Sequence, residues 1–112
     1  MKNIKTYCFD LDGVICNNTY GKYDEAKPFK NVIDKINNLY EEGNYILIYT
    51  SRYMGKFDNN QSKAIDYGYK KTKYQLDSWG LRYNKLMLGK PEYDLIIDDK
   101  SIFFNHDWIN LL

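Results

Sequence analysis

Short apolar runs alternate with longer amphipathic stretches along this chain, and this alternation predicts strands and helices in turn. The run IKTYCF (4–9) mixes β-branched and aromatic residues, and YILIY (45–49) is continuously apolar between turn residues. Both patterns are typical of strands, the second of a strand covered on both faces. NKLMLG (84–89) and YDLIID (93–98) predict two more strands. The tail 101–112 predicts a last short strand and a helical turn.

Two amphipathic stretches predict helices. Pro28 suits the first turn of a helix, and the residues after it follow the spacing of one helical face: Phe29, Val32, Ile33, Ile36, Leu39 and Tyr40. Gly43 fits the position just past the end of that helix. A second helix is expected over about 61–79, with Gly68 as an unfavourable residue in its middle and an inner face of Ile65, Tyr69, Thr72, Leu76 and Trp79.

The predicted order of elements is strand, helix, strand, helix, strand, strand. Alternation of this kind indicates an α/β fold in which right-handed crossovers connect the strands of a parallel sheet. The chain has 112 residues, which is the length of one domain. No internal repeat or linker divides it, so we expect a single domain over 1–112.

Polar side chains follow each of the four predicted strands, at the point where the strand ends. Because ligands of parallel α/β sheets bind beyond the carboxyl ends of the strands, we expect these side chains to meet at one edge. They are Asp10 and Asp12 after the first run, Thr50, Ser51 and Arg52 after the second, Lys90 after the third, and Asp98 and Asp99 at the end of the fourth.

Four carboxylates in one crevice repel one another unless a cation lies between them. A site with few carboxylates suits Mg²⁺, which keeps waters and shares a phosphate, and Lys90 suits an anionic group such as phosphate. A calcium loop is rejected, since glycine is fourth and Val14 fifth from Asp10, where the loop needs an oxygen ligand at the fifth position and glycine at the sixth. Taken singly, DLDG could instead be an acidic turn and DDK a solvated loop.

Charge and composition exclude several other classes of protein. Lys and Arg number 16 against 15 Asp and Glu, a net charge of +1, which gives no field to attract nucleic acid or an anionic membrane. Two cysteines form no disulfide framework or metal-binding cluster. The residues MKNIKTY lack the apolar segment of a signal peptide, and no stretch could span a bilayer. We therefore expect a cytoplasmic protein that binds neither nucleic acid nor membrane.

Four motifs in this order resemble the haloacid dehalogenase superfamily. FDLDGVI (9–15) resembles its first motif, a strand followed by DxDG, and YILIYTS (45–51) resembles its second. Lys90 in GKP resembles the third, and LIIDD (95–99) the fourth. The resemblance covers nearly the whole chain and implies a Rossmann-like three-layer fold with a mainly parallel central sheet. It further implies a phosphomonoester phosphatase that works through an aspartyl-phosphate.

The resemblance implies a catalytic role for four residues. Asp10 would be the nucleophile that attacks phosphorus. Asp12 would protonate the leaving oxygen and then act as general base on the attacking water. Thr50 would hydrogen-bond a phosphoryl oxygen, and Lys90 would offset charge on Asp10 and the transferring group. Since family members that cleave carbon–halogen bonds do not use the second aspartate, Asp12 favours phosphoryl transfer.

It also implies a metal shell and a substrate-binding loop. Mg²⁺, or Mn²⁺ in its place, would be held by Asp10, by Asp12 through its backbone carbonyl, and by Asp98 directly or through water. Asp99 would be a second ligand or would orient Lys90, and the sequence leaves both open. The residues expected near the substrate are Gly13, Ser51 and Arg52, with packing of the loop as the alternative for Arg52.

No cap domain fits between the motifs, because residues 14–27 are too few for more than a flap and 50–90 hold little besides a helix. An open site of this kind accepts a large substrate or borrows a lid from another subunit. Residues 78–101 further resemble small stand-alone phosphatase-like proteins associated with bacterial surface polysaccharide (capsule) synthesis, which implies a small sugar or polyol phosphate as substrate. A phosphoprotein substrate and a non-catalytic phosphate-binding or scaffold module are the alternatives.

Overall fold

A computed structural model describes residues 3–112 of the protein. Three strands and two helices alternate along the chain, with a short 3-10 turn before the first helix and another near the end. Their bounds are β1 Thr6–Phe9, the 3-10 turn Tyr23–Glu25, α1 Lys30–Glu41, β2 Tyr45–Thr50, α2 Gln61–Ser78, β3 Lys85–Leu88 and the 3-10 turn Trp108–Leu111.

The three strands form one parallel sheet in the order β1-β2-β3. β2 is central, and its residue Ile48 lies opposite Phe9 of β1 on one side and Leu86 of β3 on the other. The βαβαβ arrangement confirms the predicted α/β class and parallel pairing, and it is consistent with a Rossmann-like fold.

Residues on one face of the sheet pack against both helices. Burial alternates along β2, with Ile46, Ile48 and Thr50 buried and Leu47 and Tyr49 half-buried. The buried positions of the three strands join the inner faces of both helices in one cluster, which includes Phe9, Ile46, Ile48, Leu86, Leu88, Val32, Ile33, Ile36, Leu39 and Leu76. The opposite face of the sheet lies away from both helices.

The first helix begins at Lys30, two residues later than the sequence indicates. Pro28 instead forms an isolated antiparallel bridge with Cys16, and the amide of Phe29 donates to the carbonyl of Ile15 at 2.8 Å. These contacts hold the end of the loop extended up to the first helical turn. The predicted inner face is confirmed for Val32, Ile33, Ile36 and Leu39.

The second helix has the predicted position, and its predicted inner face is confirmed at Thr72 and Leu76 but is wrong at Ile65 and Tyr69. Asn60 caps it by accepting a hydrogen bond from the amide of Lys63 at 3.1 Å. Ile65 and Tyr69, predicted to face inward, are 40% and 37% exposed, and the buried residues are Ala64, Gly68, Thr72 and Leu76. Gly68 lies on the buried face because the ring of Tyr53 packs directly against it and leaves no room for a larger side chain.

The predicted strand 93–98 is absent from this single chain, and so is the last short strand in 101–112. Every residue from 91 to 107 is exposed, and this segment is called the arm below. It leaves the body after Lys90 and returns at Trp108, whose buried ring lies 5.4 Å from that of Phe9. The prediction of a strand at 93–98 was wrong for the single chain because a continuous apolar run forms a strand only where another strand lies beside it.

Candidate functional site

The carboxyl ends of the three strands bring three of the predicted site residues together. Asp10 directly follows β1, Thr50 is the last residue of β2, and Lys90 lies two residues beyond β3. The amide of Lys90 donates to the carbonyl of Thr50 at 3.2 Å, which ties the loop after β3 to the end of the central strand. The edge of the sheet predicted from strand endings therefore exists in the structure.

Asp10 and Lys90 form an ion pair at this edge. The ammonium of Lys90 lies 3.6 Å from Oδ1 of Asp10, and the same oxygen accepts a hydrogen bond from the amide of Leu11 at 2.8 Å. Burial nevertheless raises the pKa of Asp10 above its usual value, against the opposing effect of Lys90. The pKa of Lys90 is also raised, since the nearby Asp10 and Tyr93 outweigh the effect of burial.

Arg52 holds Asp12 through two parallel hydrogen bonds. Nε of Arg52 donates to Oδ2 at 2.9 Å and NH2 donates to Oδ1 at 2.9 Å, the bidentate geometry that a guanidinium forms with a carboxylate. Arg52 is only 2% exposed. Its guanidinium therefore contacts Asp12 and not solvent, and packing of the loop, the alternative left open by the sequence, describes its position.

Further contacts fix Arg52 in this position. NH1 donates to Oε1 of Gln75 at 2.6 Å, and Nε2 of Gln75 donates to the carbonyl of Tyr23 at 2.8 Å. The guanidinium also lies 4.7 Å from the centre of the Tyr23 ring. Gln75 and Tyr23 thus connect α2 and the flap to the ion pair, a role that residue spacing alone does not indicate for Gln75, because it depends on which face α2 buries.

The loop after β1 is a tight turn that presents both aspartates. The carbonyl of Leu11 accepts hydrogen bonds from the amides of Val14 and Ile15 at 3.2 and 2.9 Å. Gly13 has a φ of +88°, the left-handed region that glycine enters without strain. Its amide donates to the carbonyl of Cys16 at 2.8 Å, so in this conformation it serves the turn and is not directed to a ligand.

Cys16 lies next to the Asp12–Arg52 pair but does not have the properties of a nucleophile. Its thiol donates to Oδ1 of Asp12 at 3.4 Å and is fully buried. Burial, together with the charge of Asp12, raises the pKa of Cys16 to about 12. Since the thiolate is the reactive form of cysteine, the buried thiol of Cys16 is poorly suited to nucleophilic attack.

Thr50 and Ser51 both lie at the end of β2, in different surroundings. The hydroxyl of Thr50 is buried and accepts a hydrogen bond from the amide of Arg52 at 3.2 Å. The hydroxyl of Ser51 donates to the carbonyl of Pro91 at 3.2 Å, which fastens the start of the arm. Ser51 thus has a structural partner where the sequence suggested a substrate contact.

Asp98 and Asp99 are the two predicted site residues that this single chain does not bring to the edge. Both lie in the exposed turn of the arm, where Oδ1 of Asp98 accepts from the amide of Lys100 at 2.9 Å. Within residues 3–112 no three His, Cys, Asp or Glu side chains gather into a group that could hold a metal ion. The predicted shell of Asp10, Asp12, Asp98 and Asp99 is therefore not assembled within one chain.

A cleft of about 350 Å³ opens between the flap and the loop after β2. It is lined on one side by the flap residues 21–25, which include Lys22, Tyr23 and the acidic Asp24 and Glu25, and on the other by Tyr53, Tyr67 and Lys71. The tyrosine rings meet edge to face, with 4.9 Å between Tyr23 and Tyr53 and 5.0 Å between Tyr53 and Tyr67. Because Tyr23 also stacks on Arg52, this aromatic cleft lies next to the Asp12–Arg52 pair.

The comparisons with known proteins identify the fold. No family model matches the sequence, and none of the curated proteins does. A solved crystal structure, that of a structural-genomics target from Vibrio cholerae, superposes with a TM-score of 0.81 at 24% identity and covers 96% of this chain and 95% of its own. This similarity supports a small parallel α/β fold over almost the whole chain.

None of the helices within residues 3–112 is long and apolar enough to cross a membrane.

Proposed function

We propose that the protein hydrolyses phosphomonoesters, with Asp10 as the nucleophile. The observation that carries this proposal is the convergence of Asp10, Lys90 and Thr50 at one edge of a parallel sheet, with Asp12 held beside them. This edge is where α/β sheets bind ligands. The motif order that resembles the haloacid dehalogenase superfamily supports the same chemistry.

The proposed reaction has two displacements at phosphorus. A carboxylate oxygen of Asp10 attacks phosphorus, the bond from phosphorus to the ester oxygen breaks, and that oxygen takes a proton from Asp12. Water then attacks the phosphorus of the aspartyl-phosphate and gives a proton back to Asp12, while the bond to Asp10 breaks. Inorganic phosphate and the alcohol are the products.

Lys90 and Thr50 assist by stabilising charge. The ammonium of Lys90 lies beside Asp10 and would lie beside the equatorial oxygens of the phosphoryl group, where negative charge is spread during transfer. Thr50 is buried at the end of β2 with its hydroxyl next to the loop that follows. That hydroxyl would donate to one phosphoryl oxygen while it still accepts from the amide of Arg52.

Arg52 acts in this proposal through Asp12 and not through the substrate. Because both oxygens of Asp12 accept hydrogen bonds from Arg52, proton transfer at Asp12 requires one of those bonds to open. The remaining bond keeps the carboxyl group aimed at the leaving oxygen. Arg52 is thus a positioning residue.

Magnesium remains part of the proposal, but the described chain alone does not complete its shell. Asp10 and the carbonyl of Asp12 lie at the edge, and Asp98 and Asp99 lie in the arm. A divalent ion would offset the repulsion of the phosphate and the nucleophile.

The three-layer arrangement is likewise proposed, since it needs a second layer on the sheet face that carries Leu47 and Tyr49.

The aromatic cleft supports a small polar substrate. Tyrosine rings with hydroxyl groups, flanked by Lys22 and Lys71 and by the carboxylates of Asp24 and Glu25, suit the apolar faces and hydroxyls of a sugar or polyol. The phosphate of such a substrate would lie at the Asp10–Lys90 edge and not in this cleft, and residues 78–101 imply the same substrate class by their resemblance. We therefore propose a cytoplasmic sugar or polyol phosphatase in surface polysaccharide synthesis.

A screen of sugar, polyol and nucleotide phosphates and of phosphopeptides with Mg²⁺ tests this function. We expect phosphate release from a sugar or polyol phosphate, which Asp10→Asn reduces at least 1,000-fold and the matched surface variant Asp34→Asn leaves unchanged. Release from phosphopeptides alone would move the substrate to phosphoproteins. Folded wild-type protein that releases no phosphate from any compound would favour a non-catalytic phosphate-binding module.

A further inference from the structure

The arm exposes more apolar surface than a single soluble chain normally does. All residues from 91 to 107 are exposed, and Ile97 and Phe103 are 93% and 90% accessible. The other large apolar residues of the arm that face solvent are Tyr93, Leu95, Ile96, Ile102 and Phe104. Exposed apolar surface of this extent marks a place where another molecule binds.

The backbone of the middle of the arm, residues 93–97, is also without partners. Within the described chain, residues 93–97 neither donate nor accept a backbone hydrogen bond, although YDLIID has the composition of a strand buried on both faces. β1 is an edge strand of the sheet and pairs on one side only, with β2. The described residues thus contain a segment of strand composition without a neighbour, and a sheet edge on which no further strand pairs.

The arm cannot reach the edge of its own β1 as a parallel strand. Leu88 ends β3 at the carboxyl edge, and only residues 89–92 precede Tyr93. They span at most roughly 17 Å. A parallel strand outside β1 starts at the amino edge, about 14 Å across three strand spacings and about 20 Å back along the sheet. Parallel connections accordingly need a dozen or more residues.

We propose that the arm of a second copy pairs with β1, in parallel, and that the exchange is reciprocal about a two-fold axis. Parallel pairing directs the carboxyl end of the incoming strand to the edge where Asp10 lies. If Asp98 of the second copy lies opposite Asp10, Ile96 lies opposite Cys8, whose side chain is exposed on β1. The incoming strand then extends the sheet beyond β1, and its apolar side chains pack beside those of β1 on both faces.

The similarity to the Vibrio cholerae structure supports an arm that belongs to the fold. Its match covers 96% of this chain, a share that cannot be reached without most of the 17 residues of the arm. The arm is therefore part of the length over which the two folds correspond. A segment of a shared fold that exposes this much apolar surface is stable where a second copy covers it.

This exchange would complete the predicted metal shell, an extension that rests on the proposed function. Asp10 and Asp12 of one subunit would face Asp98 and Asp99 of the other, so that each dimer holds two shared sites. The absence of a metal-binding group within residues 3–112 of one chain follows directly. The second copy would then be the other subunit from which an open site borrows a lid, one of the two alternatives that the sequence left open, and it would supply ligands as well.

A disulfide tests the pairing without reference to activity. Adjacent strands place paired Cα atoms within the range that a disulfide spans, so Ile96→Cys should cross-link to Cys8 of a second chain on mild oxidation and give a covalent dimer on a non-reducing gel. Ile96→Cys with Cys8→Ala, and Tyr74→Cys on the exposed face of α2, should stay monomeric on that gel. A cross-link within one chain, or none while sedimentation shows a monomer, would overturn the proposal.

Mixed dimers test the shared site with Mn²⁺ as the probe. Asp10→Asn and Asp98→Asn chains are co-expressed with different tags and purified through both, so that one of the two sites in each dimer is intact. We expect each variant alone to bind almost no Mn²⁺ and the mixed dimer to bind about half the wild-type amount. A mixed dimer that binds none, or wild-type protein that binds none, would overturn the shared metal site. The disulfide result would still decide the arm exchange, and the phosphate screen decides the activity.

Discussion

Arg52 and Asp12 lie 40 residues apart in the sequence and form a bidentate ion pair with both N–O distances at 2.9 Å. The pair joins the turn after β1 to the loop after β2. Because Arg52 is almost fully buried and Asp12 is partly open to solvent, the pair can hold the carboxyl group to which we assign acid–base catalysis in place without blocking access to it. We expect the buried Arg52 to matter mainly by fixing the orientation of Asp12, since buried ion pairs add little net stability.

Breaking this pair should destabilise the protein strongly. Asp12→Ala leaves a buried guanidinium with Gln75 and the weakly accepting sulfur of Cys16 as its remaining acceptors, and we expect it to lower the free energy of unfolding by about 3 kcal/mol. Arg52→Met leaves the more exposed carboxylate unpaired and should cost less. Urea unfolding of both single variants and of the double variant measures the coupling. Additive effects would show that the two side chains do not act as a pair.

Gly68→Ala should destabilise the protein although alanine favours helices. An added methyl group would overlap the ring of Tyr53, and that ring lines the cleft next to Arg52. We expect a loss of about 1–3 kcal/mol from overpacking, in place of the gain of about 1 kcal/mol that helix propensity alone predicts. In a Tyr53→Ala background the same substitution should become neutral or stabilising in thermal melts. A loss of equal size in both backgrounds would contradict this packing.

Asp10→Asn should stabilise the metal-free fold at neutral pH. Burial raises the pKa of Asp10 in the folded state above its usual value of 3.8, so the folded state binds the proton more tightly and stability falls as pH rises through this window. The variant lacks this penalty. Its advantage in urea unfolding with EDTA should be present at pH 7 and vanish below about pH 3.8, where aspartate is protonated in both states. A variant less stable at pH 7 would contradict the sign.

Thr50→Val should reduce turnover while Thr50→Ser retains most of it. Valine keeps the shape of threonine at this buried strand end but removes the hydroxyl that we assign to a phosphoryl oxygen. We expect kcat/KM to fall about 10²-fold for valine, the typical effect of losing one donor to a developing charge, and less than tenfold for serine. Equal losses in both variants, measured with the best substrate of the screen, would point to packing alone.

The sequence predicted the elements that depend on local pattern and short connections. The parallel βαβαβ order and the meeting of Asp10, Thr50 and Lys90 follow from where apolar runs end. The buried face of α2 was partly wrong, because it depends on where the ring of Tyr53 packs, and that contact leaves no mark in the spacing of apolar residues.

The partners of Asp12 and the course of the arm could not be read from pattern. Arg52 follows Thr50 in a loop, and no periodicity indicates that its guanidinium turns inward to Asp12. The run 93–98 has strand composition, but whether it pairs depends on a neighbour that four connecting residues cannot reach within one chain. Long-range contacts of this kind are set by the assembled structure.

Trapping the covalent intermediate tests the central claim most directly. Wild-type protein is mixed with the best substrate of the screen, quenched in acid within one turnover and treated with borohydride, which reduces an aspartyl-phosphate to homoserine. Peptide mass spectrometry should find homoserine at position 10 and at no other aspartate, and only when substrate is present. Turnover that proceeds with position 10 unmodified, or with the modification at another residue, would contradict the assignment of Asp10 as the nucleophile.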